Sequence, residues 1–279
     1  MGFAGDCPVT AASSPVRPAA GNIFEKVTLT GIILVVFWIV VGVAVAAALV
    51  TTVNADRLQQ YGMRLLLGIV TTIQLVVLSV GLGALLSLPI AAGRLSKNRI
   101  AAGLAYGYSY FFRGTPLLAQ LFLIYYGIGQ FSNELRAIGL WWLFREAFWC
   151  AIIAFTLNTA AYQAEILSGA IRNVPRGQRE GAYALGLHPW ATIRLVVVPQ
   201  ALVVALRPYG NETILMIKAS SLASIVTVLD IMGQTRFIFS KTYDLSFYLW
   251  AAVFYLVMVE ILSRVVNLIE RRLTRHMHR

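Results

Sequence analysis

The chain has 279 residues, of which 58% are hydrophobic and 13% are charged, and its formal net charge is +11. An ordinary soluble domain carries roughly 25% charged residues, so the composition excludes that class and predicts an integral membrane protein. In such a protein an excess of Lys and Arg marks the cytoplasmic loops, so the charge does not predict nucleic-acid binding.

Residues 1–30 contain Pro8, Pro15 and Pro18 and little apolar periodicity, which predicts a disordered cytoplasmic tail. Residues 31–54 then carry an apolar run from Ile32 to Val53. This run is longer than the roughly 7–15 residues of a signal-peptide core, so we expect a retained transmembrane helix.

Five further apolar runs approach the roughly 20 residues that a transmembrane helix needs. They are Leu65–Ala92, Ile100–Phe131 (interrupted), Ala147–Ala170, Ile193–Ile217 and Leu245–Val266. Residues 219–232 are too short to span alone. They are either a continuation of the run Ile193–Ile217 or a re-entrant piece beside it. The predicted fold is therefore an all-α integral membrane protein with about six transmembrane helices, followed by a basic cytoplasmic tail at 269–279.

The distribution of Lys and Arg predicts the orientation. With the N-terminus inside, the cytoplasmic segments hold 14 of these residues and the opposite loops hold 6. Both termini and the polar segment at about 172–192 are therefore expected in the cytoplasm of a cell with an inner membrane.

That polar segment carries Glu180, Ala182 and Gly186, followed by Val196, Val198 and Pro199. The spacing resembles the EAA loop of ABC importer permeases, although Gly181 replaces the middle Ala and Val replaces the usual Ile and Leu. In that family the loop is the cytoplasmic element that docks onto the ATPase. The resemblance assigns coupling to Arg176, Glu180, Ala182, Gly186 and Pro199. Arg176 and Glu180 are four residues apart and can pair along a helix.

Other segments resemble the polar amino acid branch of the same family over about residues 62–275. They are FFRGTPLL from Phe111, LNTAAY from Leu157 and PQAL from Pro199. The segment NETILM from Asn211 is most similar to the M-type permeases for histidine, lysine/arginine/ornithine and opines. The family core has five spans, here residues 62–268, so the helix at 31–54 is an addition.

The resemblance implies a permease subunit of an ATP-driven importer for polar, cationic amino acids or opines, working by alternating access. It also implies partners: ATPase subunits that bind ATP and Mg, a second permease that is identical or a homologous Q-type subunit, a periplasmic solute-binding protein, and membrane lipid. The chain itself contains no GxxxxGK[ST] phosphate loop, so we expect no cofactor and no catalytic residue on it. Its histidines and cysteines lack metal-ligand spacing.

Charged side chains in apolar runs are the candidates for the substrate site, because a charge at the bilayer centre costs at least about 2.5–3.5 kcal/mol. Glu165 is the candidate for the substrate ammonium or a cationic side chain, and Asn158 lies seven residues earlier on the same face. Arg113 forms either a structural ion pair or a contact with the substrate carboxylate. Further candidates on the next span are Glu212, Ser220 and Ser221.

The alternative function is an ion-coupled secondary amino acid transporter, with Glu165, Glu212 and Asp230 as proton or sodium sites. Such transporters often carry internal repeats, which this sequence does not display. Near the C-terminus, Glu260 precedes Arg264 by four residues, so we expect a helix pair there.

Overall fold

The computed structural model describes residues 29–51 and 55–274. Residues 1–28, which make up most of the predicted tail, lie outside the described residues, as do 52–54 and the last five residues of the basic tail. The chain divides into two units at residue 51. The first unit contains α1 (Leu29–Thr51), whose large apolar side chains from Ile32 to Val40 are exposed, as expected of a helix in lipid.

The second unit is helical throughout its described residues. Its α-helices are α2 (Ala55–Leu95), α3 (Arg99–Gly114), α4 (Leu117–Phe122), α5 (Ser132–Ala137), α6 (Trp141–Arg145), α7 (Ala147–Asn173), α8 (Arg176–Ala184), α9 (Pro189–Thr192), α10 (Val198–Ala219), α11 (Ile231–Thr242) and α12 (Ser246–Thr274). π-Helical turns at Leu123–Gly127 and Ile193–Val197 and 3₁₀ helices at Ile128–Phe131 and Ser220–Val226 join several of them.

Four stretches of the described chain are long and apolar enough to cross a membrane. They are Gln59–Leu95, Ala147–Asn173, Pro189–Val226 and Ser246–Leu273, while α1 contributes a shorter apolar stretch at Gly31–Ala47. The predicted all-α fold is confirmed. The short run at 219–232 begins as a continuation of α10, because the 3₁₀ helix Ser220–Val226 follows α10 directly. The continuation stops at Thr227, which adopts a left-handed conformation (φ 68°).

α7 is the central helix of the second unit. Its side chains are buried on several faces, and Phe155, Ala154 and Cys150 are completely buried in the main apolar cluster. α2 packs along it so closely that a Cβ on Gly83 would lie 2.5 Å from Cγ2 of Thr159. Glycine at this position therefore allows the two helices to touch.

The predicted interruption of the third apolar run is a break between α3 and α4 at Thr115 and Pro116. Because Pro116 has no backbone N–H, the carbonyl of Phe112 loses its usual donor four residues on. Nε2 of Gln120 and Nδ2 of Asn158 each donate to that carbonyl at 2.9 Å. The break is therefore stabilised by side chains of α4 and α7.

At the opposite end of the bundle from α8, Asp244 lies in the turn between α11 and α12. It pairs with Arg57 of α2 and accepts a 2.9 Å hydrogen bond from the backbone of Ser246. Ser246 and Arg57 together hold the pKa of Asp244 below its usual value. The pair anchors the start of α2 to this turn.

Candidate functional site

The predicted coupling segment folds as a short exposed helix, α8, followed by a tight turn. The helix ends in a Schellman motif, in which N–H of Leu187 donates to the carbonyl of Ala182 and N–H of Gly186 donates to that of Tyr183, at 3.1 and 2.9 Å. Gly186 takes φ +76°, a conformation that glycine adopts without strain. The chain therefore turns sharply at Gly186 without backbone strain.

α8 is fixed to the ends of two long helices. Nη2 of Arg179 donates to the carbonyl of Ile171 on α7 at 2.7 Å. Nε2 of Gln200 on α10 donates to Oε1 of Gln178 at 3.3 Å. Within α8, Ala182 is buried. A displacement of α8 would therefore be transmitted to α7 and α10.

The expected Arg176–Glu180 pair is absent from the ion pairs of the described residues, so that prediction is wrong. Both side chains are exposed, and Arg176 precedes Glu180, which is the less favourable order for a pair four residues apart; in the exposed Glu260–Arg264 pair the acid comes first. Arg179, which the sequence did not single out, provides the anchor instead. The Glu260–Arg264 pair is confirmed, with Nε of Arg264 2.6 Å from Oε1 of Glu260.

The face of α8 and the following turn expose large apolar side chains at the polar end of the molecule. Leu185 is 84% exposed, and Trp190, Leu195 and Tyr183 are also exposed. Tyr183 and Leu185 lie outside the candidate membrane spans, so their exposure suits a docking surface for another protein. The sequence does not indicate this surface, because single apolar residues in a polar loop do not stand out.

A cluster of charged side chains joins three helices at the same half of the bundle. Nη2 of Arg94 on α2 donates to both carboxylate oxygens of Glu165 on α7, at 2.8 and 2.7 Å. Nη1 of Arg113 on α3 lies 3.2 Å from Oε2 of the same carboxylate. One carboxylate thus faces two guanidinium groups, which leaves the cluster with an excess positive charge.

Helix direction explains why these three side chains meet. Side chains tilt toward the N-terminus of their own helix, and α2 and α3 run in opposite directions. Arg94, one residue before the end of α2, tilts away from the end of the bundle that carries α8, whereas Arg113 tilts toward it. Glu165 lies eight residues before the end of α7, about 12 Å from that end, and its carboxylate contacts both guanidinium groups.

Glu165 lines two clefts. The first has a volume of about 410 Å³ and is lined by Arg94, Tyr106, Ser109, Tyr110, Arg113, Gly114 and Glu165. The second has a volume of about 230 Å³ and runs between α7 and α10, from Glu165 past Gly169 to Asn173. Glu165 is therefore the residue that the linings of the two clefts share.

The first cleft contains polar atoms without a partner in the described chain. Oγ of Ser109, on a residue only 2% exposed, and Nε of Arg94 have no hydrogen-bond partner there. The ring of Tyr106 lies 5.1 Å from the guanidinium carbon of Arg94, and that of Tyr162 lies 5.4 Å from that of Arg113. Guanidinium groups beside aromatic rings suit a polar, charged ligand.

The other predicted substrate residues do not line this cleft. Asn158 uses both amide hydrogens on Phe112 and Gln120, and Ser220 and Ser221 donate to backbone carbonyls three residues back. Glu212 is 7% exposed and accepts a 3.1 Å hydrogen bond from Thr159, and the charge of Arg113 also acts on it. The structure therefore brings together Glu165 and Arg113, with Glu212 nearby.

Asp230, a candidate ion site of the alternative function, is completely buried at the start of α11. It caps that helix by accepting from N–H of Gly233 at 2.8 Å and also accepts from the hydroxyl of Tyr255 at 3.0 Å. These contacts assign Asp230 a capping role. Within the described residues, no group of three His, Cys, Asp or Glu could hold a metal ion.

Residues 81–279 match the family model described as "Binding-protein-dependent transport system inner membrane component". The nopaline transport system permease protein NocM of Agrobacterium fabrum is 46% identical over 77% of this chain and 89% of its own length. The arginine ABC transporter permease protein ArtM of Escherichia coli is 40% identical over 63% and 79% of the two chains.

Among solved structures, an amino acid ABC transporter chain superposes with a TM-score of 0.69 and 35% identity, covering 79% of this chain and 99% of its own. The matches favour an ABC permease over the ion-coupled alternative. The fold and these relatives agree, and the chain belongs to the family of binding-protein-dependent transport system inner membrane components, as a permease subunit of an ABC importer.

Proposed function

We propose that this chain transports cationic amino acids or opines, and that the cleft beside Glu165 binds them. The relatives named for nopaline and arginine support this substrate class. The single observation that carries the proposal is the cluster of Arg94, Arg113 and Glu165, which lines a cleft of about 410 Å³ beside atoms that have no partner.

An amino acid carries a carboxylate and an ammonium group, and both must be compensated when it leaves water. In the cleft the substrate carboxylate exchanges places with Glu165 at the Arg113 guanidinium, and the substrate cation pairs with the released Glu165. Each ion pair that is broken is replaced by another, so the substrate enters without leaving a buried charge alone. Glu212 supplies a second carboxylate for a substrate with two cationic groups. Asn158, Ser220 and Ser221 support the helices around this site.

ATP is hydrolysed on separate subunits that also bind Mg, and α8 transmits their motion. The exposed side chains of Leu185, Trp190 and Tyr183 dock into the ATPase, while Glu180 and Arg176 lie beside them at the rim. The anchors at Arg179 and Gln178 carry the displacement to α7 and α10. Ala182, Gly186 and Pro199 keep the shape of the segment at 172–192.

The end of the bundle that carries α8 faces the cytoplasm, with both chain termini on the same side. The bias of 14 to 6 Lys and Arg residues supports this orientation. Residues 62–268 form the permease domain, residues 31–54 an additional helix, and residues 1–30 and 269–279 cytoplasmic tails. The importer contains a second permease subunit, identical or homologous, and receives its substrate from a solute-binding protein on the outer side.

Uptake by a Glu165→Gln variant tests the substrate assignment, because the substitution keeps the shape of the side chain and removes its charge. We expect KM for arginine, lysine and histidine to rise roughly tenfold, the effect of losing one charge-assisted hydrogen bond, and that for glutamine to change less. Glu260→Gln, in an exposed pair on α12, is the matched control. Equal transport of all four amino acids by the variant and the wild type would remove Glu165 from the site.

A further inference from the structure

The ion pairs of Glu165 join α2, α3 and α7 beside the first cleft. The first cleft lies between α2, α3 and α7, and the second leads along α7 to Asn173 at the end that carries α8. Glu165 lines both, and the side chain of Arg94 beside it is only 12% exposed. A molecule that passes from the first cleft to the second must therefore displace these side chains.

Arg94 is connected to the coupling helix by hydrogen bonds as well as to Glu165. Nη2 of Arg172, at the end of α7, donates to the backbone carbonyl of Arg94 at 2.9 Å. On the neighbouring residue, the carbonyl of Ile171 accepts from Arg179 of α8 at 2.7 Å. The end of α7 thus holds both α8 and the last turn of α2, on which Arg94 lies.

We propose that Arg94, Arg113 and Glu165 form an ionic latch that closes the cytoplasmic exit of the substrate cleft. The proposal rests on the proposed function, because the substrate is the agent that opens the latch. Its carboxylate competes for a guanidinium, and its cation competes for Glu165.

Arg94 is the positioning residue of this latch. It holds the Glu165 carboxylate with two hydrogen bonds and is connected to α7 through its own backbone. A purely structural Arg94 would keep α2 beside α7, and its loss would not change access to the cleft in an importer that still assembles. The two roles therefore differ in the accessibility of the cleft from the side of α8.

Ser109 is a suitable reporter, because it lines the first cleft and is 2% exposed. Ser109→Cys is introduced into a chain in which Cys7 and Cys150 are replaced by Ser. The complete importer, with its ATPase subunits, is prepared in inside-out vesicles. A small, membrane-impermeant methanethiosulfonate added outside these vesicles then reaches Ser109→Cys only from the side of α8.

Without substrate, the latch predicts slow labelling of the otherwise wild-type chain and labelling about tenfold faster after Arg94→Gln, the change expected when charge-assisted hydrogen bonds are lost. Arg94→Lys retains a cation and should label at a rate near that of the wild type. Arg264→Gln removes an exposed pair on α12 and is the control for charge alone. Arg113→Gln breaks the other pair and should also accelerate labelling.

Labelling at the wild-type rate in both Arg94→Gln and Arg113→Gln would overturn the latch. If Arg94→Gln does not assemble with the ATPase, the labelling rate of the Arg113→Gln chain alone tests the latch. Arginine should accelerate labelling of the latched chain. If both latch variants label fast but arginine has no effect, the latch stands and the proposed substrate is wrong, so the two failures are distinguishable.

Discussion

Gly186 is the residue whose conformation most constrains the coupling segment. Its φ of +76° costs about 1–2 kcal/mol for a residue with a Cβ, although no atom lies within 4 Å of the position that a Cβ would take. The penalty is therefore one of backbone conformation and not of crowding. Gly181 lies inside α8 with equally open surroundings and ordinary helical φ, so it provides a matched comparison.

We predict that Gly186→Ala lowers ATP-driven uptake roughly tenfold, because the turn after α8 becomes strained. Gly181→Ala should leave uptake unchanged or slightly higher, since alanine favours a helix by about 1 kcal/mol over glycine. Radiolabelled uptake in vesicles containing equal amounts of each permease measures the difference. Equal uptake by the two variants would show that the left-handed turn is not needed for coupling.

At the residue scale, the sequence identified Glu165 and Arg113 because charged side chains stand out within apolar runs. It missed Arg94, since an arginine at the edge of a basic loop is already explained by membrane topology. It also assigned Asn158 to the substrate from helical spacing. Only the tertiary structure reveals that the amide is used at the break before Pro116.

At the scale of elements, the sequence signature predicted the position of α8, the helix that we propose contacts the ATPase. Sequence could not predict how α8 is held, because the anchor from Arg179 to Ile171 joins a helix to a backbone carbonyl. Likewise, the apolar runs predicted the long helices. The 3₁₀ continuation of α10 depends on packing around Ala223 and Val226, which a run of residues does not encode.

We predict that Glu180→Lys weakens binding of the ATPase subunits at least about tenfold, because a charge is reversed on an exposed face that docks. Co-purification of the ATPase with the permease over a range of salt concentrations measures the effect. Glu134→Lys makes the same charge change on α5, at the opposite end of the bundle, and should leave co-purification intact. Similar losses in both variants would mean that general charge, and not docking, is responsible.

At the scale of the whole molecule, the two functional regions lie at the same half of the helical bundle and share α7. Its end holds α8, and Glu165 lies about 12 Å further along the same helix. A rigid central helix can therefore link ATPase motion to the charged cleft without a long chain of intermediate contacts. This arrangement suits a transporter driven by a partner ATPase.

Reconstitution into proteoliposomes tests directly whether ATP hydrolysis on a partner subunit drives transport. The permease is assembled with its ATPase subunits and a solute-binding protein, and accumulation of radiolabelled arginine is followed with and without ATP. We expect accumulation that requires ATP and persists when proton and sodium gradients are collapsed. Accumulation without ATP, driven by either gradient in proteoliposomes that contain this chain alone, would contradict it.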